Sequence, residues 1–246
     1  KLLFELASNR RASILFEVKK ENLKMQQIAT ALDMTVTETY RHLQRLAETD
    51  LIEKKPDGTY AITSLGNLAI GYLSSFNFIF KNKQYFLEHN PNYLPYELVN
   101  RLGELSSGEL CTSVLASFNR VRKMVFEAEK FIWVIADQID SSHVDTTNEK
   151  VSKGLQFKFI MQKDLAKSIK ITPEFEHLKQ KKYLENICAA TLINEKEAFV
   201  ALRGTNGLID YSGFFGTDEK FRKYCQDLFA YYWEKAEHWY PNIQIT

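Results

Sequence analysis

The chain has 246 residues with 45% hydrophobic and 13% aromatic content, which excludes a disordered chain and allows one large or two modest domains, each with its own core. Its 32 basic and 31 acidic residues leave a net charge of +1, which excludes a generic polyanion binder and leaves selectivity to local placement of charge. Three cysteines, Cys111, Cys188 and Cys225, sit at no metal-ligand spacing; they suit a reducing cytoplasm, as buried thiols or as a redox switch.

Lys24 to Ile62 carries the strongest local pattern. Met25, Ile28, Ala29 and Leu32 recur at helical spacing, and Asp33 and Met34 interrupt the recurrence. Thr35, followed three positions later by Glu38, is a capping-box signal that starts a second helix, expected to run to about Glu48. Leu43, Leu46 and Ala47 supply its inward stripe. Its first turns leave two registers open, Val36 with Tyr40 inward or Thr39 with Leu43 inward. The second is preferred, because a buried phenol at position 40 would need a hydroxyl partner and would crowd the first helix. Leu51 to Lys54 and Thr59 to Ile62 then alternate apolar and polar around Pro56, Asp57 and Gly58, a three-residue hairpin tip.

Helix, turn, helix and hairpin together spell a winged helix-turn-helix, expected to contact double-stranded DNA. The residues expected at that contact are Thr35, Thr37, Glu38, Tyr40, Arg41, Gln44 and Arg45 on the second helix, with Lys54 and Lys55 on the wing. Arginine forks and an amide suit base edges in a major groove, and wing lysines suit phosphates. Residues 1–62 hold ten Lys or Arg against nine Asp or Glu, so a second reading stays open, a helical subdomain that docks protein.

Ile62 to Phe80 holds nineteen residues without a charge, close to the span of about twenty that a bilayer requires. Six polar residues interrupt it and it follows directly from the wing, so no membrane partner is expected. Thr63, Ser64 and Gly66 look like a helix entry, after which Leu65, Leu68, Ala69, Tyr72, Leu73, Phe76, Ile79 and Phe80 form a broad apolar stripe. A homodimer seam and linker helix is the expected use, with packing on the following domain as the alternative. The domains are therefore placed at 1–63, 64–90 and 91–246.

Beyond Pro91 the spacing predicts a short helix over 94–105, a long one over 110–130, and strands at 131–136, 156–161, 188–193, 198–202 and 208–215. Helices are expected over 173–185 and 218–238, and Asn194 to Glu197 reads as a polar hairpin tip. Continuous apolar runs such as Phe131 to Ala136 suit strands covered on both faces, hence a mixed sheet with helices packed on it, and an α+β chain overall.

The winged helix, HNPNYLPYELVNRLGEL at 89–105, EKFIWVIADQI at 129–139 and the closing DYSGFFGTDEKFRKYCQDLFAYYWEKAEHW at 210–239 resemble archaeal winged-helix transcriptional regulators of the methanogenesis and filament-formation regulator family. The resemblance spans nearly the whole chain, and LFAYYWEKA is its most distinctive part. It implies a cytoplasmic dimeric regulator with an ArsR-like winged helix and a C-terminal sensor domain similar to the phospholipase D-like fold, responsive to a small-molecule effector.

That fold raises a phosphodiesterase reading. The motif begins at His177, Leu178 and Lys179, but Leu184 stands where the Asp is needed to hold charge and proton traffic. A non-enzymatic chain is expected. His42, His89, His143, His177 and His238 are scattered, so neither a metal nor a cofactor is expected. Ligands in α/β sheets gather beyond the carboxyl ends of strands, which selects Asp137, Gln138 and Arg203, with Tyr211 and Ser212 nearby and Trp133 as a stacking wall. Asp137 would accept from a hydroxyl or ammonium and Arg203 would clamp an anion; alternatively Asp137 caps a turn and Arg203 pairs with a surface carboxylate.

Overall fold

The chain divides into two units, residues 1–77 and 78–246, and a computed structural model describes residues 2–139, 144–168 and 180–239. The first unit comprises α1 (Leu2–Leu6), α2 (Asn9–Lys20), β1 (Leu23–Lys24), α3 (Met25–Ala31), α4 (Val36–Ala47), β2 (Ile52–Lys54), β3 (Thr59–Ile62) and the first part of α5 (Ser64–Lys81). It is a winged helix-turn-helix. The α3–α4 turn closes because Asp33 takes a left-handed φ of 48° and Met34 N–H donates to the Ala29 carbonyl at 2.9 Å, which satisfies the end of α3. Thr35 Oγ1 then accepts from Glu38 N–H at 3.2 Å and starts α4. Glu38 does not complete the expected box; its carboxylate lies 3.6 Å from His42 Nε2 instead.

Neither α1 nor α2 was expected. Ser8 caps α2, and Ile14, Leu15 and Val18 on its inner face join Ile28, Leu43, Leu46 and Leu51 in one buried cluster. The wing tip turns on Gly58 at φ 84°, with Gly58 N–H donating to the Lys55 carbonyl and Lys55 N–H to the Thr59 carbonyl. β1 pairs with β3, making the wing a three-stranded sheet in the order β1-β3-β2. A Cβ on Gly66 would lie 2.1 Å from the Leu51 carbonyl, so only glycine lets α5 approach the wing this closely.

The second unit opens with the end of α5, followed by α6 (Lys83–Glu88), 3-10 turns at Pro91–Tyr93 and Leu102–Leu105, and α7 (Tyr96–Val99). There follow β4 (Glu109–Cys111), α8 (Val114–Glu127), β5 (Phe131–Ala136), α9 (Val144–Ser152), β6 (Gln156–Gln162), α10 (Lys163–Ser168) and β7 (Lys181–Leu184). The unit closes with β8 (Ala189–Ile193), β9 (Ala198–Leu202), β10 (Gly213–Gly216), α11 (Glu219–Lys235) and β11 (Glu237–His238). These strands form one mixed sheet in the order β11-β7-β6-β5-β8-β9-β10-β4, with β5, β6 and β7 parallel and the other pairs antiparallel. β8 and β9 are buried at every position, as continuous apolar runs require.

Four expectations change here. The helix over 94–105 is broken into α7 and a 3-10 turn. Leu110 lies in β4, paired with Phe214, and the long helix starts only where Ser113 caps it. The strand over 208–215 is confined to its end, because Tyr211 takes a left-handed φ of 59° just upstream. Lys181 to Leu184 is a strand; the ammonium groups of Lys181 and Lys182 sit over the rings of Trp239 and Trp233 at 4.8 and 4.9 Å, so the Lys-rich run packs its stems on indoles. Leu184 thus lies in β7, while His143, His177, Leu178 and Lys179 fall outside the described residues.

Candidate nucleic-acid interface and ligand cavity

The periodicity of α4 divides it sharply. Thr39, Leu43 and Leu46 are fully buried, whereas Tyr40 is 48% exposed. Val36, Thr37, Tyr40, Arg41 and Gln44 lie on the open face, and Gln44 Nε2 donates to the Tyr40 hydroxyl at 2.7 Å. Arg41 is exposed and has no ion-pair partner among the described residues. This face offers a guanidinium fork, an amide, a phenol and, through Val36, an apolar contact of the kind that meets a thymine methyl. Val36 was not among the expected contacts, although the i, i+4 spacing to Tyr40 marks it once Thr39 is placed inward.

Arg45 stands apart from that face. Its guanidinium forks onto the Glu5 carboxylate, Nε to Oε2 at 3.0 Å and Nη2 to Oε1 at 2.8 Å. Glu5 is 2% exposed and also meets Arg11 Nε at 2.9 Å. Arg11 donates in turn to the carbonyls of Phe4 and Glu5, so two arginines fasten the end of α1 to α2 and α4. A fork already engaged by a buried carboxylate is poorly placed to read a base, so Arg45 is reassigned from base contact to holding the fold. On the wing Lys54 is exposed, while Lys55 pairs with Glu53 at 2.6 Å. Thr35 and Glu38 are occupied at the helix start.

His42 points the other way on the same helix, buried with its Nδ1 lacking a hydrogen-bond partner. Burial, and then the nearby Arg11, draw its pKa below the ordinary imidazole value; Glu38 pulls in the opposite direction without prevailing.

Along α5, Ala69 and Ile70 are buried in the core of the first unit, but Leu65, Leu68, Tyr72 and Phe76 are exposed, Tyr72 by 72%. Their spacing of three and four residues puts them on one face. Among the described residues no helix is long and apolar enough to cross a membrane.

In the second unit a cavity of about 90 Å³ lies between the sheet and helices α8 and α9. Alternation along β5 and β6 supplies Val134, Phe157 and Phe159 to its wall. Gln138 and Tyr211 also line it, and Tyr211 donates its hydroxyl to Asp137 Oδ1 at 2.5 Å, so three of the six expected ligand residues converge beyond the carboxyl end of β5. Burial first, then the Asp137 charge, push the Tyr211 phenol far up, and it remains a donor.

The other three lie elsewhere. Trp133 occupies the opposite face of the sheet, stacked on Phe229 of α11 at 5.2 Å. Arg203 donates to the carbonyls of Gly207 and Ile187 at 2.6 and 3.3 Å and braces a turn, so its expected role as an anion clamp gives way to a structural one. Ser212 belongs to a cluster with His89 and Asp210: its hydroxyl donates to Asp210 Oδ1 at 2.7 Å and lies 3.3 Å from His89 Nε2. His89 Nδ1 meets the Tyr85 carbonyl at 2.9 Å, and both serine and aspartate crowd the other ring nitrogen. A hydrolytic triad needs them on opposite nitrogens, so this cluster fastens backbone where His89 bridges Gly204. Among the described residues no three His, Cys, Asp or Glu side chains converge as metal ligands.

No protein-family model matches the sequence, and no curated protein does. Among solved structures the chain is similar to TrmBL2, an archaeal chromatin protein described as showing a novel mode of DNA binding, at 18% identity and a TM-score of 0.46 over 94% of each chain. It is also similar, at a TM-score of 0.26, to CalO1, a methyltransferase of calicheamicin biosynthesis (10% identity, 76% of this chain and 63% of that one). An O-methyltransferase family protein from Burkholderia thailandensis gives the same TM-score of 0.26, with 13% identity over 76% of this chain and 64% of that one.

Proposed function

We propose that the protein is a DNA-binding transcriptional regulator, without enzymatic activity, that acts as a homodimer on an inverted repeat and is modulated by a small molecule held in residues 78–246. The observation that carries the reading is the open face of α4. Val36, Thr37, Tyr40, Arg41 and Gln44 project from a helix whose other side is anchored by Thr39, Leu43 and Leu46. A helix so held presents base-reading groups on a rigid support, as major-groove recognition requires. Lys54 of the wing adds phosphate contact. The apolar α5 face gives a second copy a place to dock, because Leu65, Leu68, Tyr72 and Phe76 otherwise face water. A ligand favouring one dimer arrangement by about 1.4 kcal/mol changes operator affinity tenfold.

The test is fluorescence anisotropy of the purified chain on the DNA upstream of its own gene and on a scrambled duplex, at two salt concentrations. Preference for the natural fragment, saturating at one dimer per site, is the expected result. Where that fragment is not preferred, a selection from genomic DNA returning no enriched sequence overturns the reading. The near balance of charge in residues 1–62 favours a second reading, in which the winged unit docks protein; it predicts equal, weak, salt-sensitive binding to both duplexes.

A further inference from the structure

The wall of the sheet cavity has a chemistry of its own. No Lys, Arg, Asp, Glu or His lines it among the described residues, and its surface is made mainly by Val, Ile, Phe and Ala side chains. Two hydroxyls among the residues that border the cavity are unanswered, those of Ser117 and Thr191. Ser117 is 1% exposed, lies on α8 with Val121 and Val125 on the cavity side, and its hydroxyl has no hydrogen-bond partner. A buried hydroxyl without a partner is a standing cost, and a ligand that supplies the partner removes it. At the mouth, Gln138 is exposed, and the Tyr211 hydroxyl is already engaged as donor to Asp137.

Charge decides the ligand class. An ion entering this cavity would lose its water and find no counter-ion in the wall, a cost that hydrogen bonding to one serine does not offset. The Asp137 carboxylate beside Tyr211 adds repulsion against an anion. A volume of about 90 Å³ suits a molecule of roughly five to seven non-hydrogen atoms.

We infer that this cavity binds a small, uncharged, largely apolar molecule, a ring or short chain carrying one hydroxyl or carbonyl, whose polar atom pairs with Ser117. The inference rests on the reading of residues 78–246 as a sensor and specifies the chemistry that the sensor takes. It replaces the anion clamp that Arg203 suggested, because that guanidinium is spent on backbone carbonyls.

The sheet also provides an internal control. Thr191 borders the same cavity and also has a buried hydroxyl without a partner, but it pairs with Ile135 across β8 and β5, which turns its side chain to the sheet face of Trp133, opposite to Val134 and Leu192. The two hydroxyls are alike in chemistry and differ in face.

The experiment is a methyl NMR titration of the full chain with four probes of no more than seven non-hydrogen atoms: phenol, toluene, butyrate and N-methylpyridinium. Phenol is expected to shift the Val121, Val125 and Val134 signals and to bind about fivefold tighter than toluene, the effect of one neutral hydrogen bond. It should bind at least tenfold tighter than either charged probe. Ser117→Ala is expected to bring phenol down to toluene, and Thr191→Val to leave the ratio unchanged. Val121→Phe should fill the cavity and abolish both; if that variant does not fold, Ser117→Ala, which deletes a single atom, still decides. Butyrate or N-methylpyridinium binding as tightly as phenol overturns the inference, as does a phenol-to-toluene ratio indifferent to Ser117→Ala, or no probe binding at all. Repeating the DNA anisotropy with phenol present separates the two claims. Binding of phenol without any effect on DNA leaves the cavity's chemistry standing and removes the sensor, whereas DNA binding with an empty cavity removes the inference alone.

Discussion

The two units place their chemically informative groups in opposite ways. In the first, polar side chains stand on the outside of α4, and the apolar residues beneath them only hold the helix still. In the second, the informative hydroxyl of Ser117 is turned inward among apolar side chains and left without a partner. Under the proposed reading the difference follows from what each unit would meet. A duplex is large, charged and hydrated, and is read by groups that stay solvated until contact. A small neutral molecule offers little binding area, so recognition depends on a dry enclosure in which one unpaired polar atom carries weight. One rule, that buried polar groups need partners, explains why polar groups can stand ready on the exposed face of α4 and why the buried Ser117 hydroxyl favours a ligand that bonds to it.

The largest expected effect tests the apolar face that lies between those extremes. Tyr72 and Phe76 on α5 are exposed and aromatic, the residue class that dominates interface energy, at about 2 kcal/mol or more each. The double substitution Tyr72→Asp with Phe76→Asp should therefore convert the proposed dimer to a monomer in sedimentation velocity at micromolar concentration. It should leave the melting of each unit in place, because neither ring is buried. A dimer that survives both charges would move the seam off α5.

Next comes Glu5. Removing one member of a buried ion pair costs about 3 kcal/mol or more, since the remaining charges lose their counter-ion. Glu5→Ala should lower the first thermal transition seen by circular dichroism and free Arg45. If the freed Arg45 then strengthens DNA binding, the clamp suppresses a base contact; if affinity is unchanged, Arg45 is structural alone. The third effect is smaller. Arg41→Ala should weaken cognate DNA by about 1–3 kcal/mol while leaving scrambled duplex and thermal stability nearly untouched. Equal losses on both duplexes would make Arg41 a phosphate contact.

Much of the recognition helix was legible in the sequence because short-range rules determine it. The interval from Thr39 to Leu43 and Leu46 sets the buried stripe, and Pro56, Asp57 and Gly58 can close only a tight tip. The Arg45–Glu5 clamp was not legible, since its partners are forty residues apart and α1 is only five residues long. In the sheet, strand positions such as Phe131 to Ala136 were readable as apolar runs, and alternation made Trp133 and Val134 face opposite ways. Which face would carry the cavity was not readable, because that depends on where α8, α9 and α11 pack. For the same reason Trp133 and Arg203 looked like ligand contacts, and Ser117 drew no attention. The Lys-rich strand β7 has the spelling of a helix, because lysines that cover tryptophan rings look in sequence like lysines on a solvated face.

The smallest effect comes from His42, and it contrasts the buried side of α4 with its open side. The groups facing this imidazole are Arg11 of α2, together with Glu38 and Arg41 of α4 itself. Burial and Arg11 lower its pKa in the folded chain below the ordinary imidazole value, which favours the neutral ring in the folded state. Well above pH 6.5 both folded and unfolded chains are unprotonated at this position and it contributes no pH dependence. As pH falls through 6.5 the unfolded chain takes up a proton that the folded chain refuses, so the first unit loses stability, and the loss stops growing once pH is below the folded value. The melting temperature of the first transition should therefore drop between pH 7 and pH 5. His42→Leu should flatten that part of the profile, because leucine takes up no proton and Nδ1 has no hydrogen-bond partner to lose. An unchanged acid slope in His42→Leu would assign the titration to another group. A flattened slope with cognate DNA affinity retained would show that the inner face of α4 can be altered without touching the face that reads.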